Sequence, residues 1–162
     1  MAFGSPLVLR EMVALQKQGM ARGIPSICSA HPAVLSAACN LANRNNQPLL
    51  IETTCNQVNH EGGYSSMTPA DFVHFLRKIL EQEDLSPEKV ILGGDHLGPY
   101  PWRNETAEKA MAKAVEMVQA YVQAGYTKIH LDASMPCADD DPDFPLLLEC
   151  IAQRAARLCA AA

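Results

Sequence analysis

The sequence predicts an α/β protein built on a parallel sheet, and within that class part of a (β/α)8 barrel. Three observations carry this prediction. Apolar runs of strand length alternate four times with helix-forming segments, and those runs are apolar on both faces. No G-x-G-x-x-G or P-loop pattern follows the first run. Strands buried on both faces belong to parallel sheets covered by helices, and the missing glycine fingerprints disfavour the nucleotide-binding doubly wound sheet. A full barrel needs about 250 residues in eight units. The 162 residues here therefore read as a single α/β domain over 1–162, the N-terminal half of a barrel whose C-terminal half is absent.

The elements follow in order. "LREMVALQKQGMARG" places Leu9, Met12, Val13, Leu15 and Met20 at mostly helical spacing, with Gly23 as the expected stop, and predicts a helix ahead of the first strand. "IPSICSAH" (24–31) is the first strand; Pro32 then opens a helix through the Ala-rich "AVLSAACNLANRNN", since proline suits a first helical turn. "PLLIETT" (48–54) is the second strand. After a polar loop, Thr68 as N-cap and Pro69 as first helical residue start "MTPADFVHFLRKILEQ". "VILGGDH" is the third strand and "TAEKAMAKAVEMVQAYVQAG" an amphipathic helix closed by Gly125. "KIHLDAS" (128–134) is the fourth strand, and "LLLECIAQRAARLCAAA" its helix.

Composition narrows the function. A net charge of −5 with no basic stripe gives nucleic acid or anionic lipid no electrostatic footing, so neither is an expected partner. No signal-like opening and no apolar run of the roughly 20 residues that span a bilayer leave the cytoplasm as the expected location. The six cysteines form no C-x-x-C pair and are expected to be reduced, mostly small core residues.

In parallel α/β folds the chemistry gathers just past the carboxyl ends of the strands. Every predicted strand ends on polar groups: His31; Glu52 with Thr53 and Thr54; Asp95 with His96; and His130 with Asp132 and Ser134. Neighbouring strand residues point to opposite faces, so Asp95 and His96 can reach one pocket only where the backbone turns at the strand end. An imidazole there suits a metal, and the carboxylate beside it suits proton transfer. His31 and His130 are the further imidazole candidates. The long loop "CNQVNHEGGYSSMTPADF" offers Asn56, Gln57 and Asn59 for hydrogen bonds to a polyhydroxylated or phosphorylated ligand. The acidic "CADDDPDFP" reads as a solvated turn or a cation site.

The strings "CSAHPAVLSAA", "PLLIETTCNQVN" with "GGYSSMTPADF", "ILGGDHLGPYPW", "AGYTKIHLDASMPCADD" and "AQRAARL" resemble the accessory, non-catalytic subunit of class II D-tagatose-1,6-bisphosphate aldolase, the KbaZ/GatZ type. The resemblance runs from about residue 9 to residue 158. It implies a TIM barrel related to zinc-dependent class II aldolases, a catalytic aldolase subunit as partner, a sugar phosphate as ligand, and a role in galactitol or N-acetylgalactosamine breakdown. It also implies Asp95 as acid/base and His96 as ligand of zinc or another divalent metal; the strand ends and the polar loop themselves mark Glu52, Asn56, Gln57, Asn59, Asp132 and Ser134 as the expected substrate-binding residues. A kinase role finds no glycine-rich phosphate loop to support it.

Three readings follow: an accessory subunit; a metal-dependent ketose-phosphate 4-epimerase or aldolase in its own right; and an inactive truncated fragment. Four units alone leave sheet edges at the first and fourth strands, so the chain is expected to self-associate.

Overall fold

Strands β1 (Ser26–Cys28), β2 (Leu49–Thr54), β3 (Val90–Leu97) and β4 (Lys128–Leu131) form one parallel sheet in the order 1-2-3-4 in the computed structural model, which describes residues 2–162. Helices α2 (Pro32–Asn45), α3 (Pro69–Gln82), α4 (Ala107–Gln123) and α5 (Leu148–Cys159) follow the strands in turn, and α1 (Leu7–Lys17) precedes them. A doubly wound sheet reverses its strand order at a switch point. This sheet does not, and successive helices lie side by side, α2 packing on α3, α3 on α4 and α4 on α5, as crossovers of one hand require. This is the winding of a (β/α) barrel, carried through four units.

The core lies between sheet and helices. Leu49, Ile51, Val90 and Leu92 from the strands meet Leu35, Phe72, Leu76, Leu80, Met117 and Val118 from the helices, all buried; each such side chain contributes about 1.5–3 kcal/mol by leaving water. The alternate residues form the concave face that a barrel encloses. Register places Ser26, Leu50 and Ile91 in one row, and Cys28, Glu52, Gly93 and Lys128 in the next. Thr54 and Asp95 pair at the carboxyl end.

Helix ends follow the sequence signals closely. Thr68 and Asp71 form a reciprocal capping box at α3. Past α4, Gly125 adopts φ +93°, and Tyr126 N–H and Gly125 N–H donate to Tyr121 O and Val122 O, a Schellman closure. α1 is shorter than predicted because the same closure forms earlier: Gly19, at φ +82°, donates to Gln16 O while Met20 donates to Leu15 O. Gly19 rather than Gly23 ends the helix. β4 also stops at Leu131 instead of running to residue 134, since Asp132 and Ser134 turn back on each other at the strand's end.

The cysteines were expected to be mostly core residues, but only three of the six, Cys39, Cys55 and Cys137, are buried; Cys28 and Cys159 are exposed and Cys150 is half-buried. All six thiols are free. No helix among the described residues is long and apolar enough to cross a membrane.

Candidate active site

The site grows from an irregularity at the end of β3. Gly94 aligns with Ile129 but Leu97 aligns with Leu131, so β3 carries one extra residue against β4, a bulge that re-aims side chains. His96 absorbs it at φ +49°, a left-handed conformation in which histidine is enriched although still costly. Its ring therefore does not alternate away from its neighbour: His96 Nδ1 lies 3.0 Å from Asp95 Oδ2. From β4, His130 Nδ1 lies 2.7 Å from Asp95 Oδ1, and the two imidazoles meet edge-on with centroids 4.5 Å apart. The backbone turn anticipated at the strand end is thus a bulge with one left-handed residue.

Below this cluster, on the concave face, Lys128 bonds to Glu52 and stands 3.5 Å from Asp95 Oδ1. Ser26 donates to the other oxygen of Glu52. Gly93 makes room for this pair: a Cβ there would stand 2.9 Å from Glu52 Oε1 and 3.1 Å from Lys128 Cδ. Burial raises the pKa of Asp95, but hydrogen bonds from His130 and His96 and the charges of His96 and Lys128 outweigh it, holding the carboxyl below its ordinary value. Asp95 is a carboxylate at neutral pH. Cys28 faces the same space 4.0 Å from Asp95. Burial, with the charges of Asp95 and Glu52, pushes its thiol up to about 11, so it is no nucleophile at neutral pH.

A cavity of about 360 Å³ opens beside the cluster, lined among others by Thr54, Asn56, His96, Tyr100, Asp132 and Met135. Its walls are fixed from below. Asn59, buried, donates to Cys55 O and accepts from the N–H groups of Glu61 and Gly63. Gln57 Oε1 accepts from Thr54 N–H at 2.8 Å. Tyr121 of α4 donates to Val58 O at 2.9 Å and exchanges a hydrogen bond with Thr53. Trp102 Nε1 donates to Glu61, tying the loop after β2 to the one after β3.

The structure distributes the sequence-predicted residues unequally. Asp95, His96 and His130 come together. Asn56 and Asp132 line the cavity, the latter held by Ser134, whose N–H and hydroxyl both donate to Asp132 Oδ1 and keep its pKa below the ordinary value. Gln57 and Asn59 brace the loop. Glu52 lies beneath the site in its ion pair. His31 stands apart as N-cap of α2, its Nδ1 accepting from Ala33 N–H at 3.2 Å. The acids after β4 serve as anchors: Asp139 accepts from Ala107 N–H, and Asp140 holds Arg154 through two hydrogen bonds.

Lys128, Tyr121 and Trp102 were missed by the sequence reading. Lys128 carried a signal, since it precedes His130 and Asp132 at the two-residue spacing of one strand face.

The donor set fits a divalent cation. Asp95, His96 and His130 each offer one ligand atom, all within 4.8 Å of one another, and two imidazoles with one carboxylate are a usual catalytic set when an open position remains. The 2.7 Å contact of His130 with Asp95 outranks its 3.4 Å contact with His96 N–H.

Fold and site together define a (β/α)-barrel protein with an acid flanked by two histidines at the carboxyl ends of the third and fourth strands. The family model for D-tagatose-1,6-bisphosphate aldolase subunit GatZ/KbaZ-like proteins matches residues 9–162, and the chain belongs to that family. It is 54% identical over 157 residues to a D-tagatose 6-phosphate 4-epimerase from Agrobacterium fabrum, covering 96% of this chain and 36% of that one. It is 52% identical over 154 residues to the D-tagatose-1,6-bisphosphate aldolase subunit GatZ of Escherichia coli O1:K1, covering 95% and 36%. The crystal structure of a "probable tagatose 6 phosphate kinase" from Sinorhizobium meliloti 1021 superposes with a TM-score of 0.82 at 55% identity, covering 86% of this chain and 36% of that one. The chain thus spans about a third of the length of the curated relatives it matches.

Proposed function

We propose that this chain is an accessory subunit of a class II tagatose-bisphosphate aldolase, carrying the acid/base part of a ketose-phosphate site. The observation that carries the reading is the Asp95–His96–His130 cluster at the strand ends of a chain of this family. His96 and His130 would hold a divalent cation, and that cation would supply polarisation of a ketose carbonyl. Asp95, ionised and fixed by both Nδ1–H groups, takes the proton of a sugar hydroxyl at its free lone pairs. Hydrogen bonds from His130 and His96, with the nearby charge of Lys128, keep Asp95 charged, and Asn56 and Asp132 orient hydroxyls from the cavity wall. No Lys or Arg is among the described residues lining that cavity, so a phosphate group requires a cation from outside that lining.

The test is cleavage of tagatose 1,6-bisphosphate by the catalytic subunit with and without this chain, with the chain alone as third sample. Faster or longer-lived cleavage in the mixture, none from the chain alone, and loss of the effect in Asp95→Asn support the accessory role; a mixture no better than the catalytic subunit defeats it. The intact cluster favours one second reading, a metal-dependent 4-epimerase. It requires zinc-dependent interconversion of a ketose 6-phosphate by the chain alone, abolished in His130→Ala.

A further inference from the structure

A phosphate ester brings about −1.5 to −2 units of charge at neutral pH, and the lining of the cavity offers nothing of opposite sign. It adds charge of the same sign, because Asp132 on that lining is held as a carboxylate by its hydrogen bonds from Ser134. An anion enters such a space only with a counter-charge close at hand. Most cations near the strand ends are already answered by acids. Lys128 lies between Glu52 and Asp95, Lys113 pairs with Glu105 and Glu61, and Arg154 pairs with Asp140.

Arg103 is the exception. It follows the single 3-10 turn Tyr100–Trp102 beyond β3, is exposed, and pairs with no carboxylate among the described residues. Its partner is a neutral phenol: Nη1 donates to the Tyr100 hydroxyl at 2.5 Å, and the guanidinium carbon lies 4.6 Å from the centre of that ring. Tyr100 itself lines the cavity, so the guanidinium stands one contact away from the ligand space. Its backbone is fixed, since Arg103 N–H donates to Tyr100 O and the neighbouring Trp102 is buried and bonded to Glu61. The exposed side chain changes rotamer within nanoseconds. A phosphate gives the guanidinium fork two parallel charged acceptors, which a phenol and an aromatic ring cannot match.

We infer that Arg103 selects phosphorylated over free ketose: it leaves the Tyr100 hydroxyl to take the phosphate of a ligand whose carbon chain lies in the cavity. This rests on the ketose-phosphate reading of the site and adds to it a direction of binding. With the phosphate at the Tyr100 rim, the rest of the ketose runs toward His96, which lines the same cavity, and so toward Asp95. The Tyr100 hydroxyl, once released, is free to donate to a phosphate oxygen.

The measurement is calorimetric titration of the whole 162-residue chain with D-tagatose 6-phosphate and, separately, with D-tagatose. The ester is expected to bind more tightly than the free sugar. Arg103→Gln is expected to weaken the ester roughly 10- to 100-fold and to leave the free sugar unchanged, while Arg103→Lys, which keeps the charge but not the fork, recovers part of the loss. Arg77→Gln removes the same charge from a guanidinium stacked on Phe3 and leaves both affinities as they were. An ester bound no more tightly than the sugar, a preference that survives in Arg103→Gln, or an equal loss in Arg77→Gln would each overturn the role of Arg103, while tagatose binding in the same titrations keeps the ketose site standing. If neither compound binds, the ketose-phosphate reading itself fails and the role of Arg103 falls with it.

Discussion

Replacing His96 separates the backbone's contribution to the site from the side chain's. His96 sits at φ +49°, where a Cβ costs roughly 1–2 kcal/mol and glycine pays no such penalty. In an ordinary strand position glycine is the weaker residue, by about 0.5–1 kcal/mol relative to alanine, because it loses more freedom on folding. His96→Ala and His96→Gly both remove the imidazole and its hydrogen bond to Asp95, so that loss cancels between them. The left-handed penalty on alanine exceeds the entropic penalty on glycine, and His96→Gly is expected to be more stable than His96→Ala by about 1 kcal/mol, the reverse of the usual strand order. Urea titration of the two variants, followed by fluorescence of the single tryptophan, Trp102, which is buried, measures the difference directly. Equal midpoints, or alanine the more stable, would refute the bulge as the device that turns His96 toward Asp95.

Three further outcomes follow from the same frame. Gly98→Ala places a Cβ 1.6 Å from Asp132 O although Gly98 is not one of the left-handed glycines; the strand ends must part, at about 3 kcal/mol or more, and an unchanged urea midpoint would count against this contact. Tyr121→Phe leaves Val58 O without its donor inside the core and is expected to cost about 1–3 kcal/mol, with faster deuterium exchange confined first to residues 55–58. Asp140 is held below its ordinary value of 3.8 chiefly by its hydrogen bonds to Arg154. A depressed carboxyl pKa stabilises the fold above the unfolded value and loses that contribution as pH falls through the folded one. Asp140→Asn should therefore be less stable by about 2 kcal/mol at neutral pH and should show a shallower loss of stability below pH 3.8; a wild-type acid limb in the variant would contradict the ion pair's role.

Local rules made much of the architecture legible. Pro32, Thr68–Pro69 and Gly125 mark helix ends where backbone chemistry demands them, and the apolar strand runs allow only a doubly covered parallel sheet. Asp95 and His96 were legible as a pair, but the way they meet was not, because a bulge depends on register with a neighbouring strand, which no local pattern encodes. His31 looked like the end of a strand and became a helix cap, since β1 closes three residues earlier, at Cys28. Gln57 and Asn59 read as ligand-binding because polar loop residues look alike in one dimension; their hydrogen bonds go to the loop's own backbone, a need that arises once the loop folds over Tyr121. Glu52 stood out as an acid ending an apolar strand, whereas its partner Lys128 lies 76 positions away.

That last pair constrains how the protein can change. Glu52 is 6% exposed, and Lys128 is the cation between it and Asp95. Losing Lys128 first would set two carboxylates against each other in a sparsely hydrated space; losing Glu52 first would free Lys128 to take Asp95 away from its histidines. An apolar pair of equal volume could serve the lumen as well, yet every route to it passes through a chain with one charge unanswered. The two positions are therefore coupled: either single replacement is expected to cost more than replacing both together.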